Sequence, residues 1–171
     1  MNMRPRHQLT LSIALAALQL PIPTHASSPP VEREDEDAVV LTGWLAVEDL
    51  TVRDVLVEVE VNGSVRTPRV SESGRFTVTL PADAEARLRF SKAGHLTKEI
   101  VVDTHHLWDG RFERKQRHVR FAIILTLERH MGGLTYAGPV GSIGFDDGGG
   151  CVAVSHDRRT VPAKRGKVMV F

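Results

Sequence analysis

The sequence predicts an all-β chain: a seven-stranded antiparallel β-sandwich with a small C-terminal β-hairpin extension. Three observations carry this. Apolar and polar residues alternate with period two through most of the chain after Val39. Turn residues recur every eight to twelve positions, and no stretch has convincing helical periodicity.

The elements follow in order. Val39–Val47 is the first strand. Val55–Val61 is the second, with Val55, Val57, Val59 and Val61 on one face and Glu58 and Glu60 on the other. Asn62-Gly63 then reads as a hairpin turn, because both residues tolerate positive φ. Asn62-Gly63-Ser64 also matches a glycosylation acceptor, and the turn is the preferred reading. The return arm is Ser64–Val70, an edge strand because Pro68 lacks an N–H. Ser71–Gly74 turns the chain into Arg75–Leu80, which aims Phe76, Val78 and Leu80 inward. Ala86–Phe90 buries Leu88 and Phe90 and exposes Arg87 and Arg89; Leu96–Val102 follows after a turn. Thr104–His118 is polar and reads as a long loop. His118–Glu128 is the seventh strand, with Val119, Phe121, Ile123, Leu125 and Leu127 on one face. Ser142–Phe145 and Cys151–Ser155 form the extension's hairpin around Asp146–Gly150.

Four segments are expected. Residues 1–26 form a signal peptide: Arg4 and Arg6, an apolar run over Leu9–Leu20, then small residues ending at Ala26. That run is shorter than the roughly 20 residues of a spanning helix; an uncleaved N-terminal anchor is the alternative. Residues 27–38 are an acidic linker, 39–128 the sandwich, and 129–171 a Gly-rich extension packed on it. Removing Arg4 and Arg6 turns the net charge from +1 to −1. Cys151 is the only cysteine, so no internal disulfide forms. These features place the chain in the bacterial periplasm or outside the cell, with no transmembrane span after signal cleavage.

Within this frame a family emerges. Leu41-Thr42-Gly43, the Val-rich strand, Ser73-Gly74-Arg75-Phe76 with Leu80-Pro81, Leu88–His95 and Ile100-Val101-Val102 occur in the order of the carboxypeptidase regulatory-like domain. The chain resembles that family over roughly Val39–Leu127, with His95 where the family has an aromatic residue. The resemblance implies a transthyretin/immunoglobulin-like sandwich that is not itself catalytic. It lacks the family enzymes' His-x-x-Glu zinc pair; the nearest match is His106-Leu107-Trp108-Asp109. It also lacks the Tyr-Arg-Gly-Ser ending of the related transthyretin-like hydrolases, closing instead on Val168–Phe171.

Candidate sites are few, and the expected sets of catalytic, cofactor-binding and metal residues are all empty. His105 and His106 with Asp103 and Asp109 are the best metal candidates, with His118, His130 and His156 as distant partners. Adjacent histidines on a strand face opposite ways, so solvated loop histidines are the default. Arg111, Arg114, Lys115, Arg117 and Arg120 make a basic loop over 111–120, interrupted by Glu113. It offers a contact for a protein or an anionic envelope component, while nucleic acid is not expected. Gly141-Ser142-Ile143-Gly144 follows Val140 and so is no nucleophile elbow, and Asp146-Asp147-Gly148 lacks the later oxygen ligands of a calcium loop. Cys151 is read as a small buried residue or, second, a dimer-forming thiol. The expected function is therefore binding or structural support in the envelope. An envelope hydrolase and a small outer-membrane barrel, suggested by the terminal Val168–Phe171 alternation, are the competing readings.

Overall fold

A computed structural model describes residues 38–48, 51–109, 116–148 and 150–164. The expected signal peptide, most of the acidic linker, Arg111, Arg114 and Lys115 of the basic loop, and Val168–Phe171 lie outside the described residues.

Seven strands match the expected ones within a few residues: β1 (Ala38–Val47), β2 (Leu56–Val61), β3 (Ser64–Arg66), β4 (Arg75–Pro81), β5 (Glu85–Ser91), β6 (Lys98–Asp103) and β7 (Arg117–Leu125). Asn62 and Gly63 both take positive φ, 50° and 76°, as the β2–β3 turn requires. Strand β3 stops at Arg66, before Pro68, so the return arm is shorter than the alternation suggests. After β7 come a 3-10 helix (Glu128–Met131), β8 (Leu134–Tyr136), β9 (Gly141–Phe145), β10 (Val152–His156) and β11 (Thr160–Pro162). Strands β8 and β11 were not expected; they pair with each other across the Gly-rich segment.

The chain is an all-β sandwich. One sheet runs β4-β1-β7 and the other β10-β9-β6-β5-β2-β3. Between them lie the residues the alternation places inward, among them Phe76, Leu80, Leu88, Phe90, Val102 and Leu125. Both sheets are open, with free edge strands, so the described strands do not close into the barrel considered above. No helix among the described residues is long and apolar enough to cross a membrane.

The antiparallel expectation needs two corrections. Strand β7 lies parallel to β1, with Val39 opposite Arg117, and β9 lies parallel to β6, with Ile100 opposite Gly141. A parallel neighbour needs a crossover of about a dozen residues or more. Both parallel pairs meet this: β2 to β6 lie between β1 and β7 in the chain, and β7, the 3-10 helix and β8 lie between β6 and β9.

Two local contacts fix the small sheet. Gly43 sits opposite Phe76, and a Cβ there would come within 2.2 Å of the Phe76 ring. The missing side chain lets the ring lie across β1. The ring then meets Phe90 at 5.6 Å and Phe121 at 5.7 Å, the latter edge-on. On the far side Thr104 is fully buried. Its hydroxyl accepts the Ala84 N–H at 2.9 Å and lies 2.8 Å from the Pro81 carbonyl. Replacing Thr104 with valine strands that buried N–H, and denaturant unfolding should show a loss of about 1–3 kcal/mol; an unchanged midpoint would remove the hydroxyl from the account.

Candidate functional site

The two sheets differ in width, three strands against six. Strand β7 ends the narrow sheet, while β9 and β10 continue the wide one. The register shows what this leaves uncovered. Ile143 and Phe145 of β9 are core residues, and they pair with Val154 and Val152 of β10. Directly paired residues share a face, so Val152 and Val154 project from the core-facing side. Yet they are 44% and 57% exposed. The core face runs out past the edge of the narrow sheet.

A cleft of about 390 Å³ occupies that position. Phe121, Ala122, Ile123 and Ile124 of β7 form one wall. Ile100, Ile143 and Val154 form the apolar floor, with Tyr136 and Val140 beside it. Lys98, His156 and Arg158 supply the basic groups, and no carboxylate among the described residues lines the cleft. Lys98 Nζ donates to the Ile124 carbonyl at 2.6 Å and lies 5.3 Å from the centre of the Tyr136 ring. Neither Lys98 nor Arg158 has an ion-pair partner among the described residues.

The cleft has no hydrolytic constellation. Ser142 and Ser155, its two serines, hydrogen-bond to each other at 2.7 Å. His156 pairs with Gly141, one position along, and so projects from the opposite face of the sheet from Ser155. A nucleophile needs its base within hydrogen-bond reach.

The histidine and acidic residues separate into three places. His105 turns back onto Asp103, its Nδ1 2.6 Å from a carboxylate oxygen. Burial raises the Asp103 carboxyl, and the His105 backbone N–H and ring together outweigh it, so the group titrates below its usual range. His106 instead bonds Asp109, and the β9–β10 loop brings Asp147 beside them. One ligand-type atom from each of His106, Asp109 and Asp147 lies within 4.8 Å of the others. Asp147 was expected only in connection with a calcium loop; its approach to His106 depends on the hairpin's docking. All three side chains are exposed. His130 sits 3.1 Å from Glu48, and His118 joins none of these groups.

The His106–Asp109 pair has a defined pH response. Its hydrogen bond to Asp109 raises His106 above 6.5, and the same bond holds Asp109 below 3.8. The histidine's contribution is complete below pH 6.5 and is lost as pH rises through the raised folded value. The aspartate's contribution is present above pH 3.8 and lost as pH falls through the depressed one. NMR titration of His106 should therefore show a midpoint above 6.5 that falls in Asp109→Asn; an unmoved midpoint would mean the pair does not form in solution.

The basic loop is divided. Arg117 donates to the Gly150 carbonyl at 2.7 Å and lies over the Phe145 ring, tying β7 to the β9–β10 loop. Arg120 is exposed on β7. Cys151 is exposed, which overturns its reading as a buried residue. The cleft itself was missed; its one sequence signal is an apolar alternation, Val152 and Val154, in a strand with no expected partner sheet.

Fold and cleft together define an all-β sandwich in which no described strand pairs with the outer edge of β7. No family model and no curated protein matches the sequence. Among solved structures it is similar to S.CueP, at 14% identity and a TM-score of 0.37, over 54% of this chain and 64% of that one. It is also similar to an N-terminal interface mutant of the type II cohesin–X-dockerin complex Coh3ScaB–XDoc from Acetivibrio cellulolyticus. There the identity is 15% and the TM-score 0.35, over 52% of this chain and 58% of that one. The chain thus spans less than two thirds of either chain, and neither likeness bears on activity or partner.

Proposed function

We propose that the chain is a non-catalytic binding module of the bacterial cell envelope, exported by its signal peptide, that takes an anionic partner with an apolar body in the cleft beside β7. The observation that carries this is the lining: an apolar floor, Lys98, His156 and Arg158, and no carboxylate among the described residues. Concave apolar sites with a few placed polar groups are where ligands bind. The export signal and the resemblance to the carboxypeptidase regulatory-like domain, a non-catalytic accessory module, support the same reading. The basic loop 111–120 is a second contact with the same charge preference, through Arg120 and the residues before it.

An anionic apolar dye tests it. Anilinonaphthalene sulfonate should brighten on the native protein, and the double variant Val154→Glu/Arg158→Glu should bind it at least tenfold more weakly. Val154 and Arg158 are exposed, so the fold should tolerate both changes; the circular dichroism spectrum checks this. Equal dye binding by a folded variant would overturn the cleft as the site.

A further inference from the structure

The cleft's shape specifies its ligand further, and this step rests on the binding reading above. The free edge of β7 is one wall, and its backbone groups can be assigned to sides. Glu48 N–H donates to the Leu125 carbonyl at 3.1 Å, just past the end of β1, so Leu125 faces β1. Lys98 reaches the Ile124 carbonyl from the other side. The N–H and C=O of one strand residue point to the same neighbour, and successive residues alternate. Arg120 and Ala122 therefore turn their N–H and C=O groups toward the open edge, where no described strand pairs with them. Exposed edges of this kind take up an added strand.

The opposite wall fits such a strand. Lys98, Ile100, Ile143, Val154 and His156 all project from the core-facing side of the wide sheet, as the pairings Ile100–Gly141, Ile143–Val154 and Gly141–His156 require. A strand laid beside β7 would become the fourth of the narrow sheet and cover Val154 as the other strands cover the core. Lys98 already occupies the Ile124 carbonyl, so the open pairing length is short and centred on Ala122. Lys98 and Arg158, with no carboxylate among the described lining residues, set the sign of the incoming charge.

We infer that the cleft binds an extended acidic peptide segment of a partner protein, which adds to β7 as a fourth strand with its apolar side chains on Val154 and Ile143. Charge complementarity selects this occupant over a second copy of the chain, whose β7 would bring its own exposed Arg120 to the same edge.

The probe is a blocked eight-residue peptide, Ser-Glu-Ser-Val-Ser-Val-Ser-Glu, whose valines and glutamates share one face and so meet Val154 together with the basic side chains beside it; its lysine–valine counterpart carries lysine in place of each glutamate. Calorimetric titration should show it binding at least tenfold more tightly than the lysine–valine counterpart. Binding should fall at least tenfold when the peptide's edge-facing amides are N-methylated. It should fall likewise for Ala122→Pro, which removes an N–H the fold does not use; the N-methylated peptide on the unaltered protein is the measurement that does not depend on how that variant folds. Equal binding of methylated and unmethylated peptide would overturn strand addition. If dodecanoate binds and the peptide does not, the anionic cleft stands and strand addition falls. If neither binds, both fall. A dimer by sedimentation that the peptide leaves intact would assign the edge to a second copy and overturn the proposal.

Discussion

Phe76→Ala will cost the protein about 3–5 kcal/mol of stability, the range for an aromatic residue deleted from a packed core. Phe76 is 2% exposed, so its whole side chain is lost from the interior. The loss is compounded because the ring does two jobs. It bridges the sheets, meeting Phe90 of the wide sheet and Phe121 of the narrow one. It also fills the place a side chain at residue 43 would take. Alanine at 76 leaves two facing residues with almost no side chain between β1 and β4, a gap that neighbouring side chains cannot close by rotation alone. The melting temperature should fall on the order of 10–20 °C for a domain of this size. A loss below about 1.5 kcal/mol, the ceiling for a well-accommodated core change, would show that the two sheets do not meet through this ring.

Gly74→Ala should cost about 2–6 kcal/mol, from two separable sources. Gly74 has φ +79°, where a side chain brings strain of about 1–3 kcal/mol. Its absent Cβ would also lie 2.2 Å from the Leu45 carbonyl oxygen, which is backbone and cannot swing aside. Relief requires moving β1 or the turn, at about 1–3 kcal/mol more. The turn is held by Leu45 N–H donating to Gly74 O at 2.8 Å, so that movement also breaks a bond. Gly63→Ala separates the terms: Gly63 has φ +76° and no atom within 4 Å of its absent Cβ. Denaturant midpoints should rank Gly74→Ala well below Gly63→Ala. Equal losses would leave only the conformational term.

These two positions also show what could be read without coordinates. Gly74 before Phe76-x-Val78-x-Leu80 announces a turn and a core face, and both exist. The same holds for Leu88 and Phe90, and for Val119, Ile123 and Leu125, because period-two alternation reports burial directly. Alternation carries no direction, however. Nothing in Val39–Val47 says that its neighbour runs parallel or begins at Arg117. Strands β8 and β11 are three residues each, too short for a period to register. The cleft was invisible for a related reason. Val152 and Val154 have the pattern of buried residues, and only the unequal widths of the two sheets leave them bare. The meeting of His106 with Asp147 likewise depends on two loops whose proximity the parallel β6–β9 pairing sets.

The parallel pairing of β1 with β7 also has a kinetic consequence. Among the described strands the first to be made, β1, is the centre of the narrow sheet, and its last partner ends at Leu125. That sheet cannot be completed until most of the chain has been made, whereas the β2–β3 hairpin can close within its own few residues. Contacts this distant in sequence slow folding, because loop-closure entropy is lost before any pairing energy is gained. Pulse-labelling hydrogen exchange should find the amides of β1 protected together with those of β7 and later than those of the β2–β3 hairpin. Until then β1 can pair with β4 alone, and its other edge stays open on an apolar strand, the kind of edge that invites aggregation.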